Sequence, residues 1–257
     1  MKIFFAEAKH NYGSYFFPYQ VLLKTEQGDN LSRVYQSGFL PFRNNKNLFY
    51  LSRSCRSNIE NFSLSSENKR VLKNTSHLVP KNVSLADFKY TPKVQKACKD
   101  WAKGRGWKIS TASLKTIFTD HIFNQAIIWK DTTNNNIICY QVLYKNDDLV
   151  HTNSVFYDSK YHDVGIGTRV LIEVSKIAHQ EKLKHAYMGT CYAMYKRNIP
   201  GFEFFNGFEW SANIKELKYI NEREGPNYLL KEKDYLENFQ EGGMETILNK
   251  KGLKISL

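Results

Sequence analysis

The chain has 257 residues, 42% hydrophobic and 24% charged, the proportions of a globular protein with a substantial core in one large domain or two modest ones. No run of ~18 apolar residues exists, which excludes a membrane-spanning helix, and the apolar stretch between Met1 and His10 is too short for a signal peptide, so a cytoplasmic protein is expected. Lys and Arg number 37 against 25 Asp and Glu, and the net charge of +12 points to a polyanionic partner, nucleic acid first.

Residues 1–78 are expected to form a small basic α+β unit. Short strands are predicted at Ile3–Phe5, Tyr15–Phe17, Val21–Leu23 and Phe49–Leu51, separated by Gly13-Ser14, Pro18 and the turn Gln27 to Asn30. Leu31–Ser37 reads as a helix closed by Gly38. After the basic stretch Ser52 to Ser57, Ser65 or Ser66 caps a helix with Lys69, Arg70 and Lys73 on its exposed side. With Arg53 and Arg56 these make a candidate phosphate-facing strip, the alternative being a solvated helix face.

A boundary is expected within residues 74–91, and residues 79–221 form the second domain. Pro92 suits the first turn of a helix running to about Lys103, and Lys93, Lys96, Lys99, Lys103, Arg105 and Lys108 form a second concentration of positive charge. A further helix is predicted from Ser113 to about Phe123, then strands at Ala126–Lys130, Ile137–Tyr144 and Leu149–Tyr157. Gly165 and Gly167 follow in a turn that lets the backbone approach a bound group. Val170, Leu171, Val174, Ile177 and Ala178 then mark the buried face of a helix, whose first amides suit an anion such as phosphate. A fourth strand is predicted at His185–Thr190, and Phe202 to Trp210 reads as a core-packed hairpin about Asn206-Gly207. Residues 222–257 are a polar extension. The four cysteines, Cys55, Cys98, Cys139 and Cys191, form no C-x-x-C pair and the histidines lack ligand spacing, so no metal and no cofactor are expected.

The order strand-strand-strand, Gly-x-Gly, helix, strand, helix resembles the N-acetyltransferase (GNAT) fold, an α+β mixed sheet flanked by helices. His162 stands where that family's turn opens with Gln or Arg. A closer resemblance covers about Tyr35 to Leu217, to the arginyl-tRNA–protein transferases and their bacterial leucyl-transferring relatives. Ser37-Gly38-Phe39, Arg56, Phe62-x-x-Ser65 with Lys69-Arg70, Tyr157-Asp158, Gly167-Thr168, Tyr187-Met-Gly189 and Tyr195-Lys196 carry it. Leu40-Pro41 replaces the family's arginines, Ser159 its proline, and the N-terminal cysteine cluster has no counterpart beyond Cys55.

The resemblance implies transfer of Arg or Leu from an aminoacyl-tRNA to the N-terminal α-amine of a protein, often one starting with Asp or Glu. Under it, the Gly165 to Thr168 amides meet the tRNA 3′ end or the oxyanion, with Tyr157 and Gly189 in the same substrate-binding set. Tyr195 and Lys196 take the leaving ribose or a phosphate, and Asp158 orients the amine or accepts its proton. The strip of Arg53, Arg56, Lys69, Arg70 and Lys73 follows the acceptor stem. An acyl-CoA-dependent N-acetyltransferase and a non-catalytic tRNA-binding protein are the alternatives. For Asp158 a turn-forming role is the competing reading, and for Tyr195 core packing.

Overall fold

Local signals account for most of the elements that frame the site. The computed structural model describes residues 1–7 and 19–222; the strand expected at Tyr15–Phe17 and the extension after residue 222 lie outside them. Strands β1 (Lys2–Glu7), β2 (Tyr19–Lys24), β3 (Phe39–Phe42) and β4 (Asn45–Leu51) form an antiparallel sheet in the order β1-β2-β4-β3. Helix α1 (Leu31–Gln36) lies in the connection from β2 to β3. Asn30 caps its start, and Gly38, at φ +86°, closes it in a left-handed conformation that a Cβ would drive into the Phe205 ring.

A second sheet runs in the order β12-β11-β5-β10-β9-β8-β7-β6. Its strands are β5 (Ser54–Asn58), β6 (Leu78–Ser84), β7 (Gln125–Asp131), β8 (Asn136–Lys145), β9 (Leu149–Tyr157), β10 (His185–Thr190), β11 (Phe202–Phe205) and β12 (Trp210–Ser211). All neighbours are antiparallel except β9 and β10. Helix α5 (Ile166–Gln180) crosses between those two and packs Val170, Val174 and Ala178 on one face. Helices α3 (Pro92–Gly104) and α4 (Thr111–Thr119) cover the other, where Cys98, Leu114 and Phe118 meet Tyr140, Val142 and Phe156. Helices α2 (Ser66–Asn74), capped by Ser65, and α6 (Ile214–Asn221) complete the described chain. The result is a GNAT-like mixed sheet flanked by helices. None of the described helices is long and apolar enough to cross a membrane.

Several local features were not legible in the sequence. Strands on both sides of the expected boundary share one sheet: β5 and β6 both join the larger one, and Leu78 opens β6. Within β5, Ser54, Cys55, Arg56 and Ser57 are all buried, with their polar groups satisfied by distant partners such as Gly38 O and Pro200 O, so the segment carries no alternation of polar and apolar residues. Pro80 is tolerated in β6 because that strand is an edge pairing only with β7. Helix α4 begins at Thr111 under a Ser110 cap and stops at Thr119, short of Phe123, where Asp120 leaves helical geometry.

Candidate active site

Among the described strands one pair is parallel, and the candidate site lies where that pair parts. Strands β9 and β10 are in register only from Leu149 to His151 against His185 to Tyr187. Beyond that point β9 carries a bulge: Thr152 faces Leu143 and Ser154 faces Val142, so Asn153 is the extra residue. Strand β10 shifts its register against β5 between Tyr187 and Thr190. The strands part, and a cavity of about 640 Å³ opens there, bounded by His151, Asn153 and Ser154 on β9 and Met188, Gly189 and Thr190 on β10.

Among the described residues, three cations and no carboxylate line this cavity. Arg43, from the β3–β4 turn, lies over Trp107 at 4.6 Å from the ring centroid. Arg105, capping the C-terminus of α3, lies 4.3 Å over the Tyr157 ring. Lys196 comes from a short 3-10 turn, Met194–Asn198, and its Nζ donates to the carbonyls of Met188 and Thr190, both at 2.7 Å. An ammonium has three N–H donors, so one remains for a ligand.

His151 completes the lining, with Nδ1 2.9 Å from the Tyr35 hydroxyl of α1. Burial pushes its pKa down to about 3, and the Lys196 charge pushes the same way, so the ring is neutral near pH 7. An unfolded histidine takes up its proton near 6.5. Between these values the unfolded chain binds the extra proton, so the contribution to stability is complete above about 6.5 and is lost as pH falls toward 3. The expected slope is about 1.4 kcal/mol per pH unit, or about 2 kcal/mol between pH 6.5 and 5. His185, held at about 4 chiefly by burial, adds in the same direction. Urea unfolding at both pH values should show a shallower decline in His151→Gln than in wild type. Parallel declines would refute the assignment.

The glycine turn sits beside this cavity. Gly165, at φ +89°, opens α5 with no side-chain cap. A Cβ at Gly167 would stand 3.8 Å from the Tyr157 hydroxyl and 4.0 Å from that of Tyr195, and one at Gly189 would stand 3.9 Å from Lys196 Nζ. Tyr157 is also bonded to His162 Nδ1 at 3.0 Å. Thr168, half-buried in the first turn of α5, donates its amide to Gly165 O. Thus Tyr157, Gly167 and Tyr195 meet at one point, Gly189 and Lys196 at another, and the 3-10 turn carries both Tyr195 and Lys196.

Asp158 lies elsewhere. Its carboxylate accepts the Lys160 amide at 3.1 Å, capping a turn, and it lines a separate cavity with Trp101 and Lys160. The five-residue basic strip is not assembled either. Lys69, Arg70 and Lys73 are exposed on α2, with Arg70 paired to Glu67. Arg53 donates to Asn221, and Arg56 is buried in β5 against Glu203. Arg43, Trp107 and His151 escaped the sequence reading because each is an isolated residue in its own segment. Arg105 belonged to a visible cluster of charge, but nothing in the sequence tied it to the glycine turn. All four cysteines are buried free thiols, and among the described residues no three His, Cys, Asp or Glu side chains cluster to hold a metal.

The sheet order, the glycine turn and the parted strands define a GNAT-like α+β protein. No family model and no curated protein matches the chain. Among solved structures it is similar to L-PGS from Bacillus licheniformis, at 11% identity and a TM-score of 0.42, over 65% of this chain and 51% of that one. It is similar also to a GCN5-related N-acetyltransferase from Sphaerobacter thermophilus, at 11% identity and a TM-score of 0.35, over 66% of this chain and 50% of that one. The chain therefore spans about half the length of each.

Proposed function

We propose that this protein is an aminoacyltransferase that moves an aminoacyl group, Arg or Leu by the resemblance, from a charged tRNA to the α-amine of a protein. The observation that carries the reading is the cavity between β9 and β10, where Arg43, Arg105 and Lys196 are the charged groups among the described lining residues. Such a lining attracts a phosphate-bearing donor and the acidic side chain of an acceptor starting with Asp or Glu. It also disfavours a cation, so the acceptor amine is delivered neutral and nucleophilic, and an uncharged group such as Leu fits the lining better than Arg. A free α-amine has a pKa near ~8, so a usable fraction is neutral without a strong base. Neutral His151 then serves to position rather than to abstract the proton, which leaves to water.

The aminoacyl ester is already activated, and what remains is alignment and stabilisation of the oxyanion. The amine attacks the ester carbonyl, the C–O bond to the ribose breaks, and the departing ribose oxygen takes up a proton. Lys196, with its charge and its spare donor, suits the carbonyl oxygen or the departing ribose oxygen. Incubation of labelled aminoacyl-tRNA with peptides beginning in Asp, Glu or neutral residues tests this. Label on the acidic-start peptides is expected, and absence of label on every peptide would overturn it. Substituting acetyl-CoA as donor tests the alternative, which the uncapped amides opening α5 also suit.

A further inference from the structure

We infer that the phosphate backbone of the donor RNA runs along a groove at the α3–α4 junction, rather than along α2. The inference rests on the aminoacyl-tRNA reading above and names the surface that reading requires. The groove encloses about 570 Å³ between Lys99, Lys103, Trp107, Lys108 and Ile109, with Asp100 the one carboxylate among its described lining residues. Trp107 is also a wall of the cavity between β9 and β10, so groove and cavity share a side chain. A strand lying in the groove would reach the cavity past Arg105, the cation between them in sequence and itself part of the cavity lining.

Charge complementarity selects the occupant. Residues 93–108 hold six Lys or Arg and one carboxylate, Asp100. That carboxylate is held by Lys96 at 2.5 Å. Lys96, Lys99 and Lys103 recur at helical spacing on the side opposite buried Val94, Cys98 and Ala102. Among the described residues, Lys103 and Lys108 have no ion-pair partner. The helix dipole explains cations in the last turn of α3. It does not explain Lys108, which lies beyond the cap at Arg105. Half-buried Trp107 and Ile109 give the groove an apolar floor, as a ribose edge between phosphates would need. On α2, Glu67 likewise neutralises Arg70, and Lys69 and Lys73 share no side chain with the cavity as Trp107 does.

The triple variant Lys99→Gln/Lys103→Gln/Lys108→Gln and the α2 variant Lys69→Gln/Lys73→Gln are to be compared with wild type. Binding of uncharged tRNA is followed by fluorescence anisotropy over a salt series, and thermal unfolding checks the fold. The triple variant should bind about tenfold or more weakly, with a slope of log K against log salt shallower by about 3. Both effects should be much smaller in the α2 variant. Unchanged affinity and slope in a folded triple variant, or a loss that follows α2 instead, would overturn the path while leaving the aminoacyl-tRNA reading intact. Failure of wild type to bind tRNA at all would overturn both. Binding to anionic vesicles that depends on these lysines, with tRNA binding that does not, would overturn the RNA assignment.

Discussion

Lys196→Met should lower kcat/KM for aminoacyl transfer by roughly 10²–10³-fold, the loss seen when one oxyanion donor is removed. Under the proposed reaction the fall should be mainly in kcat, because the side chain would then act on atoms that change charge. Two further losses accompany it. The carbonyls of Met188 and Thr190 lose the donor that satisfies them where β9 no longer runs alongside, and Met188 is buried at 2% exposure. Met188 O keeps the weak Cys55 thiol donor at 3.8 Å, and under-satisfying a buried carbonyl costs about 1–3 kcal/mol, so the midpoint of thermal unfolding should drop by several degrees, roughly 2–4 °C per kcal/mol. Lys196→Arg separates the effects: it keeps the charge, but its planar fork does not reproduce three tetrahedral donors. It should recover stability more than rate. Single-turnover assays with labelled aminoacyl-tRNA, alongside melting curves, measure both. A Met variant with near-normal turnover would remove Lys196 from the mechanism.

The legible part of this protein is the part set by short stretches of chain. Strands β9 and β10 match their expected ends, because each is a β-branched and aromatic run bounded by turn residues. Pro92 opens α3, Ser65 caps α2 and Gly38 closes α1 for reasons confined to a few neighbours. What sequence reasoning missed is long-range. Strand β5 is a buried polar run whose partners lie some 130 to 150 residues away, at Met188, Pro200 and Glu203. The cavity arises from two register shifts, one at Asn153 and one after Tyr187, and neither has a compositional mark. Asp158 shows the converse. An Asp after a strand caps a turn by local rules, and here that local role is the one it fills. The glycine turn lies beside the candidate cavity, but the cations that line that cavity come from the β3–β4 turn, the end of α3 and the 3-10 turn after β10.

Arg56→Ala is expected to be the most destabilising single substitution on the basic residues. Arg56 sits on β5 between β10 and β11, with Nε and a terminal nitrogen both 2.7 Å from one oxygen of Glu203. Its guanidinium lies 4.1 Å over the Trp210 ring, and a further nitrogen is 3.4 Å from the Tyr187 hydroxyl. Removing it leaves the largely buried Glu203 carboxylate with Asn58, at 3.0 Å, as its side-chain donor among the described residues. Breaking a buried pair from one side costs about 3–5 kcal/mol. A domain holds only ~5–15 kcal/mol in all, so the unfolding midpoint should fall by about 10 °C or more. Replacing both partners, in Arg56→Met/Glu203→Leu, should cost less than Arg56→Ala alone, since no unpaired charge remains. Denaturation of Arg56→Met, Glu203→Leu and the double gives the cycle. A phosphate-facing Arg56 would behave in the opposite way, with stability kept and tRNA affinity reduced. Melting within a degree of wild type would refute the buried-pair account. The stability loss should also reach the reaction. Tyr187 is the last residue of β10 still paired with β9, and its ring lies 5.1 Å from Tyr35 and 5.6 Å from Trp210, whose indole nitrogen donates to Gln36 O. Arg56 holds that aromatic layer from below. Its loss should loosen the point from which the two strands diverge, and transfer should decline in Arg56→Ala even at temperatures where the protein remains folded.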